Sequence, residues 1–95
     1  MAAAAESAKA YSADGSRKEW RVTIWDSHGW RNHRYYADEH EAVREYVRYT
    51  VNQVLGGDAK RVGFILERFS GGDKRGKWDT VHESWSEDWR KRCIG

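Results

Sequence analysis

The chain has 95 residues, of which 39% are hydrophobic and 34% charged, and its formal net charge at pH 7 is +2. This length has room for one small domain and argues against a large enzyme with a deep cleft. A single cysteine excludes an internal disulfide framework and a cysteine-rich zinc site. No apolar run approaches the roughly 20 residues of a bilayer span. The composition therefore predicts a small cytoplasmic protein without a cofactor and without a membrane partner.

The amino-terminal part of the chain predicts a tail followed by a β-hairpin. Residues 1–16 show no hydrophobic periodicity beyond alanines and end in turn-forming residues, which is typical of a flexible tail. The folded domain is predicted to span residues 17–95. Alternating side chains predict a strand over 18–26 and a second strand over 30–36. Turn-forming residues at 26–29 connect the two strands into a hairpin.

A helix is predicted after this hairpin. Asp38, followed three residues later by Glu41, is typical of a capping box at a helix start. The helix is expected to run to about Leu55, because Gly56 and Gly57 offer a left-handed cap. Its predicted apolar stripe comprises Val43, Tyr46, Val47, Thr50 and Val54.

The second half of the chain predicts another hairpin and a short helix. A strand over 61–69 carries apolar residues on both faces, as expected at the centre of a sheet. A polar loop over 70–76 leads to a last strand over 78–83, and a short helix is predicted over 85–92. The strand over 61–69 is expected to place Val62, Phe64 and Leu66 on one face and Ile65 and Phe69 on the other. The short helix is expected to begin with a capping box formed by Ser84 and Glu87.

The order ββαββα predicts a small single α+β domain. Two hairpins joined by one main helix favour an antiparallel sheet with that helix packed on one face. Trp20, Val22 and Ile24 are expected to face the helix, since they alternate along the first strand. The opposite face of the sheet is then left to water or to a partner.

The outer face of the first hairpin, pointing away from the helix, is the candidate binding surface. With a four-residue loop over 26–29, Trp25 faces Trp30 and Arg21 opposes Arg34. Two arginines opposite each other repel, so this pairing predicts a bound anion or a stacking aromatic ring. Nucleic acid offers both, as phosphates and bases. The alternative interpretation is a cross-strand pair of Trp25 and Trp30 that only stabilises the hairpin.

A second basic element lies in the loop before the last strand. Residues 73–77 are flanked by glycines and carry three cations that are suited to phosphate contacts. Lys60, Arg61 and Arg17 would extend this basic stripe if the fold makes them contiguous. The alternative interpretation is a solvated loop. The predicted nucleic-acid-binding residues are Arg21, Trp25, Trp30, Arg31, Arg34, Lys74, Arg75 and Lys77.

An interaction with a protein is the alternative function. Trp85 and Trp89 lie one helical turn apart, with Glu87 and Asp88 between them, which is typical of an amphipathic patch on an adaptor or a small inhibitor. A net charge of only +2 is low for a nucleic-acid binder and keeps this alternative close. Packing of both tryptophans onto the sheet is the other interpretation of the same pattern.

The sequence carries no pattern of catalytic or metal-binding residues. His28, His33, His40 and His82 do not follow a known ligand spacing, and the predicted register separates His28 in the turn from His33 on the inner face. The sequence contains no phosphate-binding glycine loop, no nucleophile elbow and no paired carboxylates on a predicted rigid element. We therefore predict a non-catalytic module that binds an anionic partner, with nucleic acid as the first candidate.

One segment carries a local resemblance to a known group of proteins. Its residues are WRVTIW followed by GWRNHRYYADEHEAVREYV, within residues 20–47. The segment resembles the opening of small arm-type DNA-binding domains of phage and transposon integrases, in which strands enter a groove of DNA. The resemblance implies DNA binding by the first hairpin. Those domains usually have three strands before the helix, whereas two are predicted here.

Overall fold

The structure is a computed structural model that describes residues 18–71 and 76–95. The elements in chain order are β1 (Trp20–Asp26), β2 (Arg31–Tyr36), α1 (Glu39–Val54), β3 (Arg61–Gly71), β4 (Gly76–Trp85) and α2 (Trp89–Ile94). The strands form one antiparallel sheet in the order β2-β1-β3-β4. The predicted α+β class and the order ββαββα are confirmed. The predicted tail over 1–16 lies outside the described residues, and no helix in the described ranges is long and apolar enough to cross a membrane.

The main core lies between α1 and one face of the sheet. Trp20, Val22 and Ile24 of β1 are buried there, as their alternation predicts. The remaining buried members are Ala42, Tyr46, Phe64 and Leu66. The start of the helix is also as predicted, because the carboxylate of Asp38 accepts the backbone N–H of Glu41 at 2.8 Å.

The buried stripe of α1 is rotated relative to the prediction. Ala42 and Tyr46 are buried, and the half-buried Tyr49 packs against the same core. Val43 and Val47, predicted in the stripe, lie on an exposed flank of the helix. The small side chain at Ala42 allows a close approach to the sheet, and the two tyrosine rings fill the space that the prediction gave to valines.

The register of the first hairpin differs from the prediction by one residue. Trp25 pairs with Arg31, and the N–H of Asp26 donates to the carbonyl oxygen of Trp30 over 2.9 Å. The loop therefore has three residues instead of four, and Gly29 closes it with φ of +86°. A left-handed glycine at the end of a three-residue loop is a common hairpin solution, and a loop shorter by one residue moves every pairing of β2 by one residue.

This shift exchanges the faces of β2 relative to the prediction. Arg34 pairs with Val22 and lies on the helix side of the sheet, where side chains of the main core lie. His33 and Tyr35, predicted to face the helix, lie on the opposite side, and Tyr35 pairs with Arg21. The predicted opposition of Arg21 and Arg34 is therefore wrong.

A second apolar cluster covers part of the outer face of the sheet. Its buried members are Trp25, Val62 and Ile65, and its partly buried members are Trp85, Trp89 and Cys93. Val62, predicted to share a face with Phe64, lies on the other face, because the pairing of β1 with β3 shifts next to Trp25. The outer face is therefore partly covered by the protein itself, rather than left open as predicted.

The last helix starts later than predicted. β4 extends through Trp85, so Ser84 lies in a strand, and its hydroxyl is 2.7 Å from that of Tyr46. The predicted capping box of Ser84 and Glu87 is therefore wrong. The N-cap residue of α2 is Asp88, whose side chain makes no capping hydrogen bond, and Glu87 occupies the left-handed region at φ 49°.

Candidate nucleic-acid interface

Arg21 is held inside the outer face of the sheet. Its residue exposure is 8%, and its Nε donates to Oε1 of Glu67 over 2.7 Å. Its guanidinium also lies over the ring of Trp78, 4.4 Å from the ring centroid. These contacts neutralise and cover the charge of Arg21, so this side chain does not belong to the candidate interface.

The carboxylate of Glu67 is the centre of a buried hydrogen-bond network. The hydroxyl of Thr23 donates to this carboxylate, and Nδ1 of His33 lies 2.8 Å from the same hydroxyl oxygen. Because the hydroxyl proton is used on Glu67, Nδ1 of His33 is the donor in the second bond. Arg21 supplies the opposite charge to the carboxylate. The network has the character of a structural ion pair, and it ties β1, β2 and β3 together on the outer face.

The two tryptophans of the first hairpin have separate surroundings. Trp25 is buried, its ring centroid lies 6.3 Å from that of Trp85, and the guanidinium of Arg31 lies 5.6 Å from its centroid. Trp30 is 75% exposed. Neither the predicted facing pair of Trp25 and Trp30 nor its role in stabilising the hairpin is present, and only Trp30 offers an accessible ring.

Trp30 lies beside a groove of about 300 Å³ at one end of the sheet. The N–H of Ser27 donates to the carbonyl oxygen of Lys60 over 2.7 Å, which holds the hairpin loop against the segment before β3. The groove is lined by Ile24, Asp26, Trp30, Arg31, Asn32, Asp58, Lys60 and Arg61. The structure therefore makes Lys60 and Arg61 contiguous with Arg31, whereas the sequence analysis considered them only as an extension of the loop over 73–77.

The two carboxylates of this groove stabilise local turns. Asp26 accepts the backbone N–H groups of His28 and Trp30, at 2.9 and 3.1 Å. Asp58 accepts the backbone N–H of Lys60 at 2.9 Å. Both acids reduce the positive potential of the groove, but their hydrogen bonds are made to the backbone and leave the three cations without an ion pair in the described residues.

A second groove of about 470 Å³ continues from Arg61 towards the end of α1. The guanidinium carbons of Arg48 and Arg61 lie 5.8 and 5.7 Å from the ring centroid of Tyr49. Tyr49 itself is half-buried and stacks on the buried Phe64 with an interplanar angle of 11°, so an aromatic pair supports both cations. Arg48 also pairs with Glu45, which reduces its charge. We call the residues Trp30, Arg31, Arg48, Lys60 and Arg61 the hairpin-end surface.

The other predicted binding residues do not join this surface. Arg34 is exposed on the helix side of β2. Lys77 pairs with Ser70 at the opposite end of the sheet, and its ammonium lies 3.6 Å from Asp79. Lys74 and Arg75 lie outside the described residues. The predicted binding residues do not include Arg48, because no local pattern in the sequence joins this helix residue to the first hairpin.

The residues of the predicted protein-binding patch are only partly available. Trp85 and Trp89 pack against the second apolar cluster, which favours the interpretation that they cover the sheet. The pKa of Glu83 is held below its ordinary value by a hydrogen bond from Arg90 and by a second one from the indole N–H of Trp85. These contacts anchor the segment to β4, while Glu87 and Asp88 remain exposed.

The described residues contain no cluster of three or more His, Cys, Asp or Glu side chains that could hold a metal ion. The chain was also compared with protein-family models, with curated proteins and with solved structures, and none of them matches it. The candidate interface therefore depends on the geometry of the hairpin-end surface alone.

Proposed function

We propose that this chain is a non-catalytic module that binds single-stranded nucleic acid at the hairpin-end surface. The observation that carries the proposal is Trp30, an indole that is 75% exposed beside three cations that form no ion pair with any residue that the structure describes. Single-strand binders combine aromatic rings, on which bases stack, with cations that follow the backbone, and each stacked base contributes about 1–3 kcal/mol. Trp30 supplies the ring, and its neighbours supply the charge.

The phosphate contacts are assigned to Arg31, Lys60 and Arg61. They line one groove, and their positive charge is attractive to phosphate oxygens at short range. Arg48 extends the same surface by one further cation. Three phosphate contacts to a single strand give a slope of about −2 in a plot of log K against log salt concentration.

The test is binding of fluorescein-labelled oligothymidine by fluorescence anisotropy at several salt concentrations. We expect Trp30→Ala to weaken binding about 5- to 150-fold, which corresponds to the loss of one stacked base. Trp30→Phe keeps an aromatic ring and is expected to retain most of the affinity. Arg61→Ala is expected to weaken binding and to make the salt slope shallower by about 0.7.

The matched control is Arg44→Ala, which removes an exposed cation from α1 outside the hairpin-end surface. We expect this variant to bind almost as well as the unchanged protein. Absence of binding at low salt would overturn the proposal. Equal losses in Arg44→Ala and Arg61→Ala would show only a diffuse effect of net charge, and would also count against it.

A further inference from the structure

One flank of α1 is apolar and exposed along the whole helix. Val43, Val47, Val51 and Val54 are 38%, 49%, 49% and 84% exposed, and Leu55, directly after the helix, is 78% exposed. We call these five residues the valine ridge. Their spacing of four, four and three places the valines in one row on the helix surface.

The valine ridge takes no part in the core that α1 shares with the sheet. The buried residues of the helix are Ala42 and Tyr46, which face the sheet. The hydroxyl of Tyr46 contacts Ser84 of β4, and Val54 lines a groove of about 240 Å³ with the same serine. The ridge therefore lies on the flank of α1 that leans towards β4, next to the edge of the sheet.

Valine is a poor choice for exposed helix positions if the chain only has to fold alone. Its branched side chain loses rotamer freedom in a helix, and lysine, glutamate and arginine are all better helix formers. Exposed helix positions are normally polar, so a continuous apolar row breaks the local pattern. Such a departure from local consistency is expected at a surface with a function.

The size of the valine ridge fits a weak but specific contact between two copies. The exposed parts of its side chains amount to about three fully exposed aliphatic side chains, or roughly 300–500 Å². Two such ridges facing each other bury on the order of 600–1,000 Å², which is less than a stable interface buries and lies in the range of weak, transient contacts. The row itself contains no charge, so bringing two ridges together removes little charge from water.

We propose that the valine ridge is the contact surface for a second copy of this chain, with the two α1 helices antiparallel. Val43, Val47, Val51 and Leu55 follow one another at intervals of four residues. A twofold axis midway between Val47 and Val51 therefore places Val47 against the partner's Val51 and Val43 against the partner's Leu55, so the contact is complementary to itself. This self-complementarity favours a second copy over an unrelated protein.

Sedimentation equilibrium of the full chain, from about 1 μM to 1 mM, tests the proposal in the range where weak dimers dissociate. We expect the unchanged protein to approach the mass of a dimer at the upper concentrations. Val47→Lys is expected to raise the dissociation constant at least about tenfold, since it places a charge against the partner's Val51 and removes that charge from water. Lysine is a better helix former than valine, so the monomer is expected to remain folded by circular dichroism.

Ile94→Lys is the matched control. Ile94 is 44% exposed, similar to Val47, but it belongs to α2 on the other face of the sheet. We expect it to leave the dimer unchanged. A monomer throughout the concentration range, or a dimer that Val47→Lys leaves intact, would overturn the inference. Sedimentation equilibrium of Trp30→Ala separates this result from the proposed function, because Trp30 lies outside the valine ridge and this variant is expected to dimerise as the unchanged protein does.

Discussion

Replacement of Glu67 by glutamine tests whether the buried network stabilises the fold. Glu67→Gln keeps the size of the side chain but removes the charge that lies 2.7 Å from Nε of Arg21. The two side chains are only 12% and 10% exposed, and loss of one partner from a buried ion pair costs about 3–5 kcal/mol. A glutamine oxygen can still accept one hydrogen bond, and the ring of Trp78 still covers Arg21. We therefore expect the free energy of unfolding to fall by about 2–3 kcal/mol.

The assay is urea unfolding at neutral pH, followed by tryptophan fluorescence and by circular dichroism. For a domain of this size, the expected loss also lowers Tm by roughly 10–20 °C. Asp88→Asn is the control, because the Asp88–Arg92 pair is more than half exposed and its loss should cost under about 1 kcal/mol. Asparagine is as good an N-cap as aspartate, so this control changes the charge alone.

A double substitution separates the ion pair from the packing of its side chains. Arg21→Met combined with Glu67→Met removes both charges and keeps apolar bulk on the outer face. We expect the double variant to be more stable than Glu67→Gln, since no uncompensated charge stays buried. If the free energy of unfolding of Glu67→Gln lies within about 0.5 kcal/mol of that of the unchanged protein, the carboxylate is not the counter-charge that holds Arg21 inside.

Three further predictions concern packing, backbone strain and pH. A Cβ on Gly63 would lie 2.3 Å from ring atoms of Trp85, so we expect Gly63→Ala to lower the free energy of unfolding by about 1–3 kcal/mol in the same urea assay. Glu87 has φ of 49°, so Glu87→Gly should stabilise the protein by up to about 1 kcal/mol, and a loss of stability would contradict the strain argument. Burial, followed by the proximity of Tyr49, raises the pKa of Tyr36 to about 12 from an ordinary value of 10.0. The folded state therefore holds this proton more tightly, and the contribution of Tyr36 to stability is complete below pH 10 and is lost as the pH rises towards 12. Ultraviolet titration of Tyr36→Phe should lack one late-titrating phenol, and an unchanged curve would refute the assignment.

The elements and their order could be predicted from the sequence because each of them carries its own local signal. The alternation of Trp20, Val22 and Ile24 determines which face of β1 packs on the helix. The capping pattern at Asp38 marks the start of α1. These signals depend on neighbours in the chain, and the structure confirms them.

The pairing of β2 with β1 could not be predicted with the same security, because one residue in a loop changes it. The choice between a three-residue and a four-residue loop depends on the left-handed conformation of Gly29, and either loop is compatible with the sequence. A shift of one residue moves Arg34 to the helix side and removes it from Arg21. The one-residue shift therefore alters the predicted binding residues, while the order of the strands and helices is as predicted.

The remaining differences arise from contacts between distant parts of the chain. Glu67 lies 46 residues from Arg21, and no local pattern indicates that the two side chains form a buried pair. The contiguity of Lys60 with Arg31 likewise depends on the backbone hydrogen bond between Ser27 and Lys60. Trp30 is one of the predicted site residues. Its exposure could not be predicted, because it depends on the packing of Trp25 against the distant Trp85 rather than against Trp30.

The role of Trp30 as the stacking platform of a nucleic-acid interface can be tested by observing all six tryptophans together. In a ¹⁵N-labelled sample, each indole N–H gives its own resonance, which is followed while oligothymidine is added. We expect the Trp30 resonance, assigned by its absence in Trp30→Phe, to shift progressively and to saturate, while the resonance of the buried Trp25 moves little. No shift at Trp30, or a shift confined to Trp85 and Trp89, would show that the binding surface lies elsewhere.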